Sequence, residues 1–500
     1  MNDRARVESM GKTSALLVPL ALIARGIAFL VPACIAYWFG KGAETDAFFY
    51  VLAMPTFVLV LFTTTLSTVI TPFLAETLAS RPQTAPSVLQ GVATWGGVAG
   101  LCFGVVIALI IPLIAPRITA FEPATLALAA HYAWLLVPYA FLTAVGCALR
   151  AGCEVYGIFA RTALAPVPRA LAFLIAVWWL QPIVQGDAMA IALGVGEAVQ
   201  LLWYGALLRS EGVHVRLRWR IDSAIRESAK RVAPILAGET CVALNMVVDV
   251  GFAATLLGGS VSLIQYADRA RVIPQTLLAS SLLVVAYATW SHLWAGREER
   301  VFREAVDQAL RWVAALAAPV LAGMFVGREL LIALLFERGA FDADLTPNVA
   351  RLLAWYLPGI WPNLLGILLM RAHVIEGRLR LVMGLGILSA ASNILLNVVL
   401  MRSFGLEGVA LATTLNMFFI PGLFGLAYWS SWRAVFRWRA WVPVFGLVAA
   451  SVLVAWAVEV SGGPPTRWLD PRLWGAALAC FSVLGAGFYF TNSRKQEARL

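Results

Sequence analysis

The sequence predicts an all-α polytopic membrane protein of about fourteen transmembrane helices: two six-helix lobes in tandem repeat, with two further helices at the C-terminal end. Three observations predict it. The 500 residues are 61% hydrophobic and only 13% charged, with a mean hydropathy of +0.81, whereas soluble domains carry about 25% charged residues. Apolar stretches of about 20 residues, the length a helix needs to cross a bilayer, recur along the whole chain. Short residue patterns also repeat at a spacing near 220 positions.

In chain order the apolar stretches fall at 14–39, 46–75, 88–115, 124–148, 157–180, 187–208, 232–257, 262–295, 304–326, 345–370, 380–401, 406–430, 440–460 and 471–491. The fifth is interrupted by Arg161, Pro166, Pro168 and Arg169, and the ninth opens with Glu304, Asp307 and Arg311. Leu330–Phe336 is apolar but too short to span. Met1–Lys12 is polar and the first apolar stretch continues as a full span, which reads as no cleavable signal peptide. These elements give an N-lobe over 1–208, a basic linker over 209–231, a C-lobe over 232–439 and two added spans with a tail over 440–500.

Basic residues set the topology, because they stay on the cytoplasmic side. Arg4, Arg6 and Lys12 place the N-terminus inside, and the even-numbered loops then hold Arg81, Arg150, Arg161, Arg297, Arg371, Arg378, Arg433 and Arg437. Arg494, Lys495 and Arg499 put the C-terminus on the same side. The densest run lies at 209–231 and reads either as an amphipathic helix on anionic headgroups or as a solvated loop. The net charge of +10 is thus largely a topology signal, and no polar domain suited to nucleic acid is expected.

Cys34, Cys102, Cys147, Cys153, Cys241 and Cys480 lie mostly inside spans without metal-ligand spacing, and four histidines are too scattered for a metal site. Internal repeats say more. Trp134 and Trp355 are 221 positions apart, as are Arg150 and Arg371, each arginine followed by a glutamate at Glu154 or Glu376. Gly40, Asp46 and Pro55 find counterparts in Gly258-Gly259, Asp268 and Pro274. A duplication with an even number of spans gives both copies the same orientation, and such folds place substrate between the lobes.

Charge inside spans then marks candidate functional residues, because an Arg or Asp near the centre of a span costs roughly 2.5–3.5 kcal/mol. Arg25 stands in the first span with no opposite charge within two helical turns; Asp268, Arg269 and Arg271 stand in the eighth. Guanidinium forks suit phosphate oxygens, so the implied cargo is a phosphate or diphosphate. The alternatives are structural: Arg25 pairs with Asp46 or Glu197, and Asp268 neutralises Arg269 or Arg271.

Gly40-Lys41-Gly42-Ala43-Glu44-Thr45-Asp46-Ala47-Phe48-Phe49, Tyr266-Ala267-Asp268-Arg269 and Leu335-Phe336-Glu337-Arg338-Gly339-Ala340-Phe341 resemble the signatures of the MurJ/MviN lipid II flippases of the MOP exporter superfamily. The resemblance covers nearly the whole chain. It implies a cationic cavity enclosed by spans one to six and seven to twelve, with a lipid-tail groove at spans thirteen and fourteen. It also implies diphosphate recognition by Arg25 and Arg269, with Arg271 beside them and Asp46 and Asp268 in cavity or gating roles. Two positions depart from the family: Val31 and Leu59 stand where lipid II flippases carry arginines, which turns the reading toward another polyprenyl-diphosphate-linked glycan of the exopolysaccharide type.

Asn393 and Asn397 share a helix face at i, i+4, as do Val409 and Thr413, and Asn245 and Asp249. Oxygen atoms in this pattern suit a hard cation, and the set Asp249, Asn393, Asn397, Val409 and Thr413 is similar to the sodium site of that family. The alternative is that these polar residues hold spans together. The expected function is a flippase in the bacterial inner membrane that works by alternating access as a monomer. It moves a polyprenyl-diphosphate-linked glycan among membrane lipids, without a covalent cofactor, with Na⁺ or H⁺ as coupling ion. A MATE-like drug exporter would want acidic cavity residues, and a membrane glycosyltransferase or ligase would want acids or a histidine on a large external loop.

Overall fold

A computed structural model describes residues 24, 26–65, 70–220, 244–461, 470, 472 and 475. Among them the regular structure is helical throughout. The first helices are α1 (Gly26–Phe39), α2 (Ala43–Thr65), α3 (Thr71–Ser80), α4 (Ala85–Ile118), α5 (Pro123–Leu135), α6 (Val137–Val155), α7 (Phe159–Ala163), α8 (Pro166–Val184) and α9 (Asp187–Ser210). There follow α10 (Leu244–Ala253), α11 (Ser260–Ala295), α12 (Glu299–Val326), α13 (Arg328–Phe336), α14 (Thr346–Ile375), α15 (Leu379–Trp432) and α16 (Trp438–Val460). The chain divides into two compact units, Met1–Ser262 with Gly339–Phe341, and Leu263–Arg338 with Asp342–Leu500.

Among the described residues eight helices are long and apolar enough to cross a membrane, or nine when the bent pair α5 and α6 counts as one span. The expected boundaries shift where prolines and glycines act. The expected span 124–148 is α5 and α6, bent by 40° around Leu136 just before Pro138. Its repeat counterpart α14 runs through Pro358 and Pro362 without a break. The expected spans 380–401 and 406–430 form one 54-residue element, α15, interrupted at Gly405, whose φ of +56° a side chain would disfavour. Of expected spans one and seven the described residues form the apolar helices α1 and α10, and of the span at 471–491 only residues 472 and 475 are described. As its length required, 330–336 forms the short helix α13.

Helix starts and stops follow local chemistry. Proline occupies the first turn of α3, α4, α5, α6, α8 and α14, where its missing N–H has no intrahelical partner to lose. α6 and α14 end alike. Gly157 and Gly377 adopt φ values of +78° and +76°, and the next amides, of Ile158 and Arg378, donate back to the carbonyls of Cys153 and His373, each at 2.9 Å. This closure is a Schellman motif, and it fixes Glu154 and Glu376 at equivalent helix ends.

The charges that interrupt the ninth expected span are accommodated rather than excluded. Asp307 of α12 is 3% exposed; it accepts from Arg311 Nε at 2.9 Å, Trp432 Nε1 at 2.8 Å and Trp441 Nε1 at 2.9 Å. One carboxylate thereby joins α12, α15 and α16. Arg328 of α13 donates to both oxygens of Glu459 on α16, at 2.9 and 2.8 Å. The described part of the basic linker, up to Arg220, is not helical after Ser210. It lies against α4 instead: Gln90 Nε2 donates to the His214 carbonyl, the Arg218 amide donates to Thr94 Oγ1, and Trp219 meets Trp95 edge-on.

Candidate functional site

In the second unit, α11 buries Tyr266, Ala267 and Ala270 on one face, which leaves Asp268, Arg269 and Arg271 half-buried beside it. Arg271 is strongly engaged. Its Nε donates to Asp268 Oδ1 at 3.0 Å, a terminal amino group makes a second, closer contact with the same oxygen, and the guanidinium lies 5.2 Å over the Tyr356 ring. Its Nη1 also reaches Gln275 Oε1 at 3.4 Å. Arg269, two positions earlier, has no ion-pair or hydrogen-bond partner among the described residues. The i, i+3 geometry of a helix explains the difference: it brings residue 271 over residue 268 and turns residue 269 away from it.

In the first unit Asp46 is almost fully buried and holds backbone. Its two oxygens accept the amides of Gly259 and Ser262, the latter at 2.8 Å. These are the first free amides of α11, so the carboxylate occupies the positive end of a helix. Upstream, the Gly42 amide donates to Thr45 Oγ1 at 2.9 Å at the start of α2. Arg25 lies outside the described residues. Both acids weighed as its counter-ion have other partners: Asp46 the amides above, and Glu197 the guanidinium of Arg169 at 2.8 Å.

That Arg169–Glu197 pair lines a cavity of about 360 Å³ in the first unit, together with Leu59, Thr143, Arg150, Glu154, Gln200 and Tyr204. Arg150 donates through Nε to Glu154 at 3.0 Å, and Gln200 donates to the Tyr204 hydroxyl at 2.9 Å. Arg169 likewise approaches Glu197 through Nε. Leu59 faces the same space as these two arginines. The sequence carried the signal for this site in the fifth span, where Arg161, Pro166, Pro168 and Arg169 read as irregularity rather than as a polar lining.

The residues expected to hold a cation are distributed over both units. Asp249 lies half-buried on α10 in the first unit. In the second, Asn393 and Asn397 are fully buried on α15, and the Asn397 amide donates to the Asn393 carbonyl and carboxamide oxygens at 3.0 and 3.1 Å. Thr413 donates its hydroxyl to the Val409 carbonyl at 3.2 Å. Carboxamide, hydroxyl and carbonyl oxygens are the donor chemistry a hard cation takes. Among the described residues no group of three or more His, Cys, Asp or Glu could hold a metal ion.

The model of the lipid II flippase MurJ family matches residues 35–462. A probable lipid II flippase MurJ of Vibrio cholerae is 26% identical over 431 residues, covering 81% of this chain and 80% of that protein. A lipid II flippase MurJ of Burkholderia cenocepacia is 30% identical over 223 residues, 43% of this chain and 42% of its own length. Among solved structures, the inward closed conformation of lipid II flippase MurJ superposes with a TM-score of 0.81 at 18% identity, over 95% of this chain and 99% of that one. An inward-facing multidrug resistance MATE transporter of the MOP superfamily gives 0.65 at 15% identity, over 84% and 96%. With the family model spanning most of the helical body, this chain belongs to the MurJ lipid II flippase family.

Proposed function

We propose that this protein moves a polyprenyl-diphosphate-linked saccharide from the cytoplasmic to the periplasmic leaflet of the bacterial inner membrane, with both termini cytoplasmic and Arg269 as a ligand of the diphosphate. The observation that carries the reading is the contrast on α11. Arg271 is neutralised by Asp268, whereas Arg269 has no counter-ion among the described residues. A guanidinium in an apolar span is costly unless an anion meets it, and a phosphate oxygen is the anion whose geometry it fits best. Arg25 is the second proposed ligand, and Arg271 holds Asp268 out of competition with the phosphate. Alternating access follows from the duplicated body, and an ion gradient or membrane potential supplies the work, about 2.3 kcal/mol per charge per 100 mV. If Na⁺ is the coupling ion, Asn393, Asn397, the Val409 carbonyl and Thr413 of the second unit supply its oxygens.

Two features favour a glycan other than that of lipid II as a second reading: Val31 and Leu59, neutral where the family carries arginines. A cationic drug is disfavoured, because the charge on α11 that has no ion-pair partner among the described residues, Arg269, is itself cationic. The test uses purified protein in liposomes with lipid II as probe. Arg269→Ala is expected to lower flipping by at least about tenfold, the scale of one charged hydrogen bond, while the protein still inserts; flipping at the wild-type rate overturns the assignment. Rescue of cells depleted of their lipid II flippase assigns lipid II as cargo; failure at normal expression assigns another saccharide.

A further inference from the structure

The end of α14 holds a cluster that the transport reading does not use. His373 is fully buried. Its Nε2 lies 3.2 Å from the Phe424 carbonyl of α15, and because a carbonyl oxygen only accepts, Nε2 must carry the hydrogen. In the neutral ring Nδ1 is then a bare lone pair. It has no hydrogen-bond partner and looks toward Glu376 Oε2 at 3.8 Å. Glu376 is 3% exposed, and neither of its oxygens accepts a hydrogen bond.

The surroundings deepen the imbalance. Tyr428 of α15, edge-on to His373 with ring centroids 5.4 Å apart, has a buried hydroxyl without a partner. Arg303 of α12 has an unpartnered Nε, while its terminal amino group reaches Glu299 at 2.8 Å. Of the ten buried side-chain polar atoms that lack a partner among the described residues, five belong to these four side chains. Each has forfeited a hydrogen bond it would make to water, and buried polar groups are rarely left in this state. Two acceptors face one another at 3.8 Å with no hydrogen between them, and their lone pairs repel. A metal ion does not fit, because Arg378 Nε stands 3.0 Å from Glu376 and Arg303 also acts on it. A proton needs no coordination shell and satisfies both acceptors.

We propose that His373 and Glu376 form a proton-binding site in the second unit. One proton from water bonds to His373 Nδ1, giving an imidazolium that faces the Glu376 carboxylate at 3.8 Å as an ion pair; its release restores the neutral ring. Glu299 and Glu376 favour the bound proton, and Arg303 and Arg378 oppose it. Burial pushes the Glu376 carboxyl above its usual range against the pull of Arg378 and Arg303. Because the site joins α14 to α15 through the Phe424 carbonyl, its occupancy is linked to the packing of that helix pair, and under the flippase reading it serves transport as a proton site.

The test follows the four histidine rings of the full-length protein, ¹⁵N-labelled in lipid nanodiscs, from about pH 5 to 9, with His373→Asn assigning the signal. His373 is expected to pass from the Nε2–H tautomer to the imidazolium, with a midpoint about one pH unit lower in Glu376→Gln, a tenfold loss of proton affinity. Arg378→Gln moves the midpoint the other way and serves if Glu376→Gln is not monodisperse. A ring that stays neutral throughout, or a midpoint unmoved by either variant, overturns the site. Flipping of lipid II is measured in parallel, and a wild-type rate that changes at the ring's midpoint supports its use in transport. A rate independent of pH overturns that use and leaves the titration standing; no flipping of lipid II at all assigns another saccharide as cargo and likewise leaves the titration standing.

Discussion

The two repeat-related helix ends, α6 in the first unit and α14 in the second, carry the same frame with opposite chemistry. Glu154 and Glu376 are 222 positions apart, and Tyr204 and Tyr428 are 224 apart. In the first unit the glutamate is held by Arg150 at 3.0 Å, the tyrosine hydroxyl accepts from Gln200 at 2.9 Å, and both line a cavity. In the second unit the glutamate oxygens and the tyrosine hydroxyl have no hydrogen-bond partner. An identical Schellman closure therefore delivers a partnered cluster beside open space in one copy and a closed, under-satisfied one in the other. Duplication preserved the backbone frame, and substitution around it decided which end is wet.

This difference can be broken from either side. The largest effect is expected in the first unit. Glu197→Gln leaves Arg169 without its charge partner, and removal of one member of a largely buried pair costs about 3 kcal/mol; thermal unfolding in detergent should show a clear loss. The same substitution in the second unit, Glu376→Gln, is expected to change stability by less than about 1 kcal/mol at neutral pH, since Arg378, 39% exposed, keeps the Ala427 carbonyl and the Ser431 hydroxyl when its 3.0 Å ion pair with Glu376 is lost.

The pH dependence sharpens the contrast. Burial holds the Glu376 carboxyl above the usual carboxylate range. A carboxyl raised on folding stabilises the protein fully below the unfolded value, and that contribution is lost as pH rises through the folded value. The melting temperature should therefore fall as the pH is raised from about 4.5, the ordinary glutamate value, and this component should disappear in Glu376→Gln. A slope unchanged in the variant would assign the dependence to other groups. The smallest effects should differ in sign. Tyr204→Phe loses one hydrogen bond and should destabilise by about 1 kcal/mol, whereas Tyr428→Phe removes an orphan hydroxyl and should be neutral or stabilising by a similar amount.

Much of the candidate site was legible in the sequence, for definite reasons. Arg269 and Arg271 stood out because charge is rare in apolar spans, and Asp268 was recognised as a neutralising partner for one of them. Which one it neutralises follows from helix geometry, and Arg271 sits three residues on. The Arg150 to Glu154 and Arg371 to Glu376 echo was visible as well. Its chemistry was not, because the importance of His373 depends on the Phe424 carbonyl, 51 positions away, fixing its tautomer. Asp46 reads in sequence as a cavity acid, yet it holds two amides beyond residue 258, a partner no local pattern encodes.

By itself the sequence determined that the chain lives in a membrane, that its body is duplicated, and which local residues begin and end several of its helices. Apolar length, basic asymmetry, first-turn prolines and C-terminal glycines are local properties and need no knowledge of neighbours. Only the tertiary structure decided the partners: Arg169 with Glu197, Arg328 with Glu459, and Asp307 with two tryptophans more than a hundred residues away. Lipid accepts any rotation of an apolar helix about its axis, so apolar patterning leaves that rotation open. The packing of each helix against its neighbours sets it, and with it which charge is paired, as that of Arg271 is, and which, like that of Arg269, has no ion-pair partner among the described residues.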